Sequence, residues 1–114
     1  MTTIITNTFT VRGGWHHRSA CALTSVGAQV QFIPEPDNKH DPNAIKLVVP
    51  ELALLPTGHG DLRIGYVPKE LTEYIKPLLP LCGVIEKLSW ERERPLVTIS
   101  FDANVFIPTQ LRGG

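Results

Sequence analysis

The residues best suited to chemistry lie in one polar loop, within the stretch "EPDNKHDPNAIKLVV". Asn38, His40 and Asp41 place hydrogen-bond donors and acceptors at short range, an array suited to bonding a hydroxyl or an amide edge. Asp37 and Asn38 can close an Asx-type turn on their own backbone after Pro36, and Pro42 biases Asp41 toward extended backbone, which holds its side chain. A hairpin needs about two to five loop residues, whereas this loop uses about ten. Two interpretations follow: the loop merely stiffens the surface, as most such loops do, or it binds a ligand, which its excess length over a stable turn supports.

The loop joins two segments that alternate polar and apolar residues as half-buried strands do, "QVQFI" before it and "AIKLVV" after it. Further strands are predicted at "TTIITNTFTV", "RIGYV", "VIEKLSW" and "LVTISF", with a last short one at residues 104–107. Residues 20–26 are predicted to form a short helical turn, and "PELALLPTGHGDL" a hairpin-like excursion. One clear helix is predicted at "PKELTEYIKPLL", with Leu71, Tyr74, Ile75 and Leu78 on an apolar stripe and Pro77 near its end. This pattern predicts an all-β fold with one or two short helices, a β-dominated α+β domain of the small-barrel type.

The composition indicates one globular domain of 114 residues, with an ordered core at about residues 5–108 and a flexible tail at 109–114. Lys and Arg together number 11, as do Asp and Glu, so any contact with nucleic acid must come from a local patch. The N-terminus lacks the pattern of a signal peptide and no window suits a membrane span, so a soluble, cytoplasmic protein is expected. Cys21 and Cys82 are expected to be two buried, reduced thiols.

Two separated motifs carry a resemblance to a known family. The stretches "EPDNKHDPNAIKL" and "GDLRIGYVPKELTEYIKPLL" resemble the HIRAN domain, whose hallmark is a Glu-Pro-x-Asn-x-x-Asp-x-Asn-Ala-Ile loop followed by a Gly-Tyr-[Val/Ile]-Pro step into a helix. The fixed positions match from Glu35 to Ile45 and from Gly65 to Pro68. The similarity spans roughly residues 9–101, and paired motifs are more specific than a single short pattern.

The resemblance implies a modified OB-like, six-stranded β-barrel that captures single-stranded DNA, in the best-known members by its 3′-hydroxyl end. Those members are eukaryotic fork-remodelling ATPases, whereas this chain has no Walker-type glycine loop and is similar to stand-alone bacterial and phage versions. A non-enzymatic DNA-binding module of repair or replication is therefore expected, without cofactor or metal. A protein partner would supply any enzymatic activity, and RNA is an alternative ligand.

The resemblance also implies roles for single residues. Asp41 matches the loop Asp that accepts a hydrogen bond from the 3′-hydroxyl, and it would repel a 3′-phosphate. Asn38 matches an Asn of the nucleotide pocket, and His40 stands where the best-known members carry an aromatic. Base stacking contributes about 1–3 kcal/mol without sequence preference. The expected nucleic-acid contacts are Trp15, His16, His17, Asn38, Lys39, His40, Asp41, Asn43, Lys46, Tyr66 and Trp90.

Two other classes of function are consistent with parts of the sequence. Enough ligand types for a metal-dependent hydrolase occur in His16, His17, His40, His59, Asp37 and Asp41. However, no HExxH or comparable spaced motif is present. The other alternative is a protein-interaction module that keeps the fold without binding DNA, and the final Leu-Arg-Gly-Gly matches the tail of ubiquitin-like modifiers.

Overall fold

The computed structural model describes residues 3–55 and 62–107 of the chain. Its strands are β1 (Ile5–Thr10), β2 (Gln29–Pro34), β3 (Ile45–Val48), β4 (Arg63–Tyr66), β5 (Leu81–Glu91) and β6 (Arg94–Ala103). Its helices are α1 (Arg18–Leu23) and α2 (Thr72–Ile75), with 3-10 turns at Gly14–His17, Pro50–Leu54, Lys69–Leu71 and Lys76–Leu78. Within these two ranges, no helix is long and apolar enough to cross a membrane.

The six strands form one antiparallel sheet in the order β1-β6-β5-β2-β3-β4. The sheet curls until the chain just after β1 meets β4, at the opposite end of the strand order. There Arg12 N donates to Tyr66 O (2.9 Å), and Tyr66 N donates to Arg12 O (2.8 Å). This curled half-barrel with two short helices confirms the predicted OB-like fold class.

Apolar residues that alternate along the strands fill the interior of the half-barrel. Val30 and Phe32 are buried while Gln31 between them is exposed, as the sequence pattern predicts. Three phenylalanine rings meet in the centre, Phe9, Phe32 and Phe101, with centroids 5.5, 5.8 and 5.9 Å apart. Full burial of such a side chain contributes about 1.5–3 kcal/mol, so the core fixes the register of the strands that carry the polar loop.

The prediction of a last strand at residues 104–107 is wrong. The chain bends at Asn104 and Val105, and the side chain of Asn7, 1% exposed, provides the bonds that a neighbouring strand would give. Asn7 Nδ2 donates to Val105 O (3.1 Å), and Asn7 Oδ1 accepts from Ile107 N (2.8 Å). Because a buried amide side chain satisfies this backbone, the segment closes one end of the core without extending the sheet.

The predicted helix after β4 is present, but it consists of a 3-10 turn, α2 and a second 3-10 turn. Leu71 and Ile75 are buried as predicted, and Leu78 is half-buried. Tyr74 is 45% exposed, so its place on the apolar stripe is wrong. Pro77 has no N–H to donate to an α-helical carbonyl, which accounts for the change to 3-10 geometry and for the end at Leu78.

The two cysteines differ in their surroundings, although both thiols are free. The helical turn predicted at residues 20–26 forms slightly earlier, as α1, and buries Cys21. Burial raises the pKa of the Cys21 thiol to about 11, which makes it a poor nucleophile. The prediction that Cys82 is buried is wrong, because β5 turns Gly83 and Ile85 toward the core and Cys82 outward.

Parts of three predictions lie outside the described residues. The excursion after β3 starts with the 3-10 turn Pro50–Leu54, but the glycines and Pro56 at its predicted tip are not among the described residues. The same holds for His59, which the metal-site alternative includes. It also holds for the predicted tail 109–114 with its Leu-Arg-Gly-Gly ending.

Candidate nucleic-acid interface

The loop between β2 and β3 folds around the side chains of Asn38 and Asp41. Asn38 Oδ1 accepts from the backbone N–H groups of His40 (2.9 Å) and Asp41 (3.0 Å). Asp41 Oδ1 accepts from Asn43 N (2.9 Å), and Asp41 O accepts from Ala44 N (3.0 Å). Two successive Asx-type turns, at Asn38 and Asp41, therefore hold the loop. Of the two residues predicted to close the first turn, Asp37 and Asn38, it is Asn38 that does so.

Glu35, directly after β2, is the centre of the hydrogen bonding around this loop, and its side chain is 19% exposed. Glu35 Oε1 accepts from Asn38 Nδ2 (2.7 Å) and from Tyr66 Oη (2.8 Å). Glu35 Oε2 lies 3.5 Å from Arg63 Nη1 and 3.9 Å from Lys46 Nζ. One carboxylate thus connects the loop with strands β3 and β4. In the sequence, Glu35 stands out only as a motif residue, although an acidic residue at a strand end is the available signal.

The surroundings of Glu35 keep its carboxylate ionised. Burial raises the pKa of this group, but two hydrogen bonds and two neighbouring cations together outweigh burial, so the pKa of Glu35 lies below its ordinary value. Burial and the hydrogen bond to Glu35 raise the pKa of Tyr66, which keeps the phenol protonated as a donor. The pair therefore stays a charged acceptor and a neutral donor at neutral pH.

The depressed pKa of Glu35 predicts how stability depends on pH. Its stabilising contribution is present above the unfolded-state pKa of about 4.3 and is lost as pH falls through the lower folded-state pKa. The measurement is the free energy of unfolding in urea at about pH 6 and about pH 3. Between these two pH values it is expected to fall less in Glu35→Gln than in the wild type. Glu86→Gln, which removes an exposed carboxylate on β5, should keep the wild-type pH dependence. Parallel curves for Glu35→Gln and the wild type would contradict this assignment.

Strand β4 brings Tyr66 to this cluster through a close approach of two backbones. Gly65 has φ of +148°, and a Cβ on it would overlap Val11 Cγ1 and stand 2.6 Å from Arg12 O. Only glycine fits both the conformation and the space. The residue thus allows the backbone bridge between Arg12 and Tyr66, which places the Tyr66 hydroxyl against Glu35.

An open groove of about 430 Å³ lies between the loop and α2. Its lining residues are Asn43, Thr72, Glu73, Lys76 and Pro77. Lys76 Nζ donates to Asn43 Oδ1 (3.3 Å), so the end of the loop is connected to the helical segment. Lys76 is not recognisable as a site residue from sequence, because its nearness to the loop depends on how α2 packs and no local pattern reports that.

On the β4 side of the loop, the first 3-10 turn presents Trp15, His16 and His17. The His17 ring centroid lies 6.2 Å from that of Tyr66. Trp15 is 38% exposed, and the Arg18 guanidinium stands over its ring, 4.1 Å from the centroid. Arg18 Nη1 also donates to Trp15 O (3.2 Å), which fixes this cation–π arrangement.

Trp90 lies near the tip of the β5–β6 hairpin, where it pairs with Pro95 and is 43% exposed. Paired residues of an antiparallel ladder point to the same face of the sheet. A Cβ on Gly14 would lie 3.3 Å from Pro95 Cγ, so the hairpin tip packs beside the turn that carries Trp15.

The predicted contact residues therefore fall into three groups. Those joined by hydrogen bonds, charge or ring contacts to Glu35 or its partner Tyr66 are His17, Asn38, Lys46 and Tyr66 itself. Those within the loop are Asp41 and Asn43, which are hydrogen-bonded to each other, and Lys39 and His40, which are exposed at its tip. Those exposed on neighbouring elements are Trp15, His16 and Trp90.

The described part of the chain holds no group of three His, Cys, Asp or Glu side chains that could bind a metal ion. Two carboxylates of the loop, Glu35 and Asp41, are instead engaged in the hydrogen bonds given above. The chemistry that this face offers is hydrogen bonding, charge and ring stacking.

Comparisons with known proteins point to one family and one fold. The family profile described as HIRAN domain matches residues 6–107. A crystal structure of a protein from Lactobacillus plantarum superimposes with a TM-score of 0.59 at 16% identity, covering 90% of this chain and 98% of that one. The crystal structure of the HIRAN domain of human HLTF gives a TM-score of 0.56 at 20% identity, covering 86% of this chain and 75% of that one. At such identities the two structures show the fold alone. A search of curated protein sequences gives no match.

Proposed function

The chain belongs to the HIRAN domain family, whose members are in general DNA-binding modules, and we propose that it captures single-stranded DNA at its 3′-hydroxyl end. It acts in this proposal without catalysis of its own, within DNA repair or replication. Any enzymatic step belongs to a protein partner. The proposal rests on the Asp41 carboxylate, which one hydrogen bond holds in place while other acceptor positions remain for a ligand.

The Asp41 carboxylate is fixed in place yet keeps the capacity to bind. Its Oδ1 accepts one backbone hydrogen bond, from Asn43 at 2.9 Å, and the residue is half-buried. A carboxylate has about four acceptor positions, so it can also accept a hydrogen bond from the terminal 3′-hydroxyl of a deoxyribose. A 3′-phosphate would bring negative charge against the same group and be disfavoured. Asp41 thus supplies selectivity for a free 3′-hydroxyl.

Rings and cations near the loop supply the remaining affinity in this proposal. The rings of Trp15 and His17 offer stacking surfaces, and a stacked base contributes about 1–3 kcal/mol. Lys39 on the loop and Lys76 on the groove can each meet a phosphate. Because the net charge is +0, few phosphate contacts form, and the affinity falls only gently with added salt.

Fluorescence anisotropy with labelled strands of equal sequence tests the proposal. The probes are single strands with a 3′-hydroxyl or a 3′-phosphate, a blunt duplex, and the corresponding RNA strand. A hydrogen bond to a charged group is worth about 1.5–3 kcal/mol, so the 3′-hydroxyl strand is expected to bind roughly 10–100 times more tightly than the 3′-phosphate strand. Equal affinity for all ends, or no binding at all, would contradict end capture and favour the protein-interaction alternative.

A further inference from the structure

We propose that Glu35 is the positioning residue of this interface. Its carboxylate sets the shape of the loop through Asn38 and restrains the two cations beside the loop, so that a strand is held by its end rather than by its phosphates. The part that concerns DNA rests on the function proposed above. The part that concerns the loop rests on contacts within the protein itself.

The bonding of Asn38 indicates that it shapes the loop. Its Oδ1 accepts from two backbone N–H groups, and its Nδ2 donates to Glu35 at 2.7 Å. A side-chain amide offers about two acceptor and two donor positions, so three of the four are used inside the protein. Glu35 fixes the orientation of this amide, because it accepts the hydrogen bond from the nitrogen while the oxygen faces the loop backbone.

The second oxygen of Glu35 faces the cations. Lys46 and Arg63 have side chains that are 31% and 33% exposed, so both can reach a phosphate that approaches the loop. The carboxylate lies within 4 Å of each and competes with that phosphate. Arg63 Nη1 also donates to Tyr66 Oη (2.9 Å), which in turn donates to Glu35. Loss of the negative charge would remove this competition and strengthen the attraction of both cations for any phosphodiester, whatever the end of the strand.

Two conservative variants separate reach from charge at this position. Glu35→Asp keeps the charge but shortens the side chain, so it cannot bond the Asn38 amide and the Tyr66 hydroxyl in the same geometry. Glu35→Gln keeps the acceptor oxygen but removes the charge. Glu86→Asp and Glu86→Gln are the matched controls on the exposed face of β5.

Amide hydrogen exchange, followed by NMR in the protein alone, tests the positioning of the loop. In Glu35→Asp, the His40 and Asp41 amides that bond Asn38 are expected to exchange about tenfold faster than in the wild type. Glu35→Gln and both controls should remain near wild-type rates. Unchanged exchange in Glu35→Asp would overturn the positioning role, and this readout needs no ligand.

The salt dependence of binding to 3′-hydroxyl and 3′-phosphate DNA strands tests the restraint of the cations. In Glu35→Gln, the slope of log affinity against log salt is expected to steepen by about 0.7–1.4, the value for one or two added phosphate contacts. The preference for the 3′-hydroxyl strand should shrink several-fold, while Glu35→Asp keeps the wild-type slope. A wild-type slope and preference in Glu35→Gln would overturn the restraint. A wild type that binds no strand refutes the proposed function and the restraint together, and hydrogen exchange then decides the positioning role by itself.

Discussion

Gly65→Ala is expected to lose about 3 kcal/mol or more of unfolding free energy, a large part of the stability of a domain of this size. The added Cβ would overlap Val11 Cγ1 and stand 2.6 Å from Arg12 O, a backbone atom that cannot rotate away. The φ of +148° is also costly for any residue with a Cβ. The sheet must therefore open where the chain after β1 meets β4, and urea denaturation monitored by circular dichroism measures the loss.

Gly27→Ala is the matched control for this prediction. Gly27 also has a positive φ, +94°, but a Cβ on it would have no heavy atom within 4 Å. Its loss is expected to be about 1 kcal/mol, from backbone conformation alone. If Gly65→Ala and Gly27→Ala lose the same unfolding free energy, the close approach of Gly65 to Val11 and Arg12 does not add to the cost of a Cβ.

Asp41→Asn is expected to lower the affinity for a 3′-hydroxyl strand by roughly 10–100-fold, since it removes a charge-assisted hydrogen bond of about 1.5–3 kcal/mol. Asparagine retains an oxygen that can accept from Asn43 N, so the turn and the fold should persist. The same change removes the repulsion of a 3′-phosphate. The two kinds of strand should therefore bind with nearly equal affinity, as measured by anisotropy.

Asp37→Asn controls for the loss of one negative charge in the same loop. Asp37 is exposed, so its replacement should leave the preference for a 3′-hydroxyl intact and change affinity only slightly, through general electrostatics. Equal behaviour of Asp37→Asn and Asp41→Asn would mean that net charge, rather than a specific acceptor, governs binding. A melting temperature near that of the wild type in both variants excludes unfolding as the cause.

The strands were predictable from sequence because their alternation reports burial directly. Val30 and Phe32 on β2, for example, are buried on one face of the sheet. The bend at residues 104–107 was not predictable, because its apolar residues also suit a strand. The bent conformation of this segment is set by its hydrogen bonds to the Asn7 side chain, about a hundred residues away in sequence. Tyr74 fits a helical stripe on spacing alone, but the short α2 buries a narrower face.

The candidate site was predictable in its local part and not in its long-range part. The turn made by Asn38 follows from residues that are neighbours in sequence. The links from Glu35 to Tyr66 and from Asn43 to Lys76 join residues about thirty positions apart. Such contacts depend on strand order and on the packing of α2, which periodicity does not determine.

An NMR titration of the isotopically labelled chain with a short DNA strand that ends in a 3′-hydroxyl shows whether the β2–β3 loop binds the end of the strand. We expect chemical-shift changes at the amides of Asp41 and Asn43, at the Trp15 indole and at the His17 ring. Signals from the outer face of β5 and β6, where Val84 and Leu96 are exposed, should stay unchanged. Changes confined to that outer face, or none at saturating DNA, would contradict the claim that this loop binds the end of a strand.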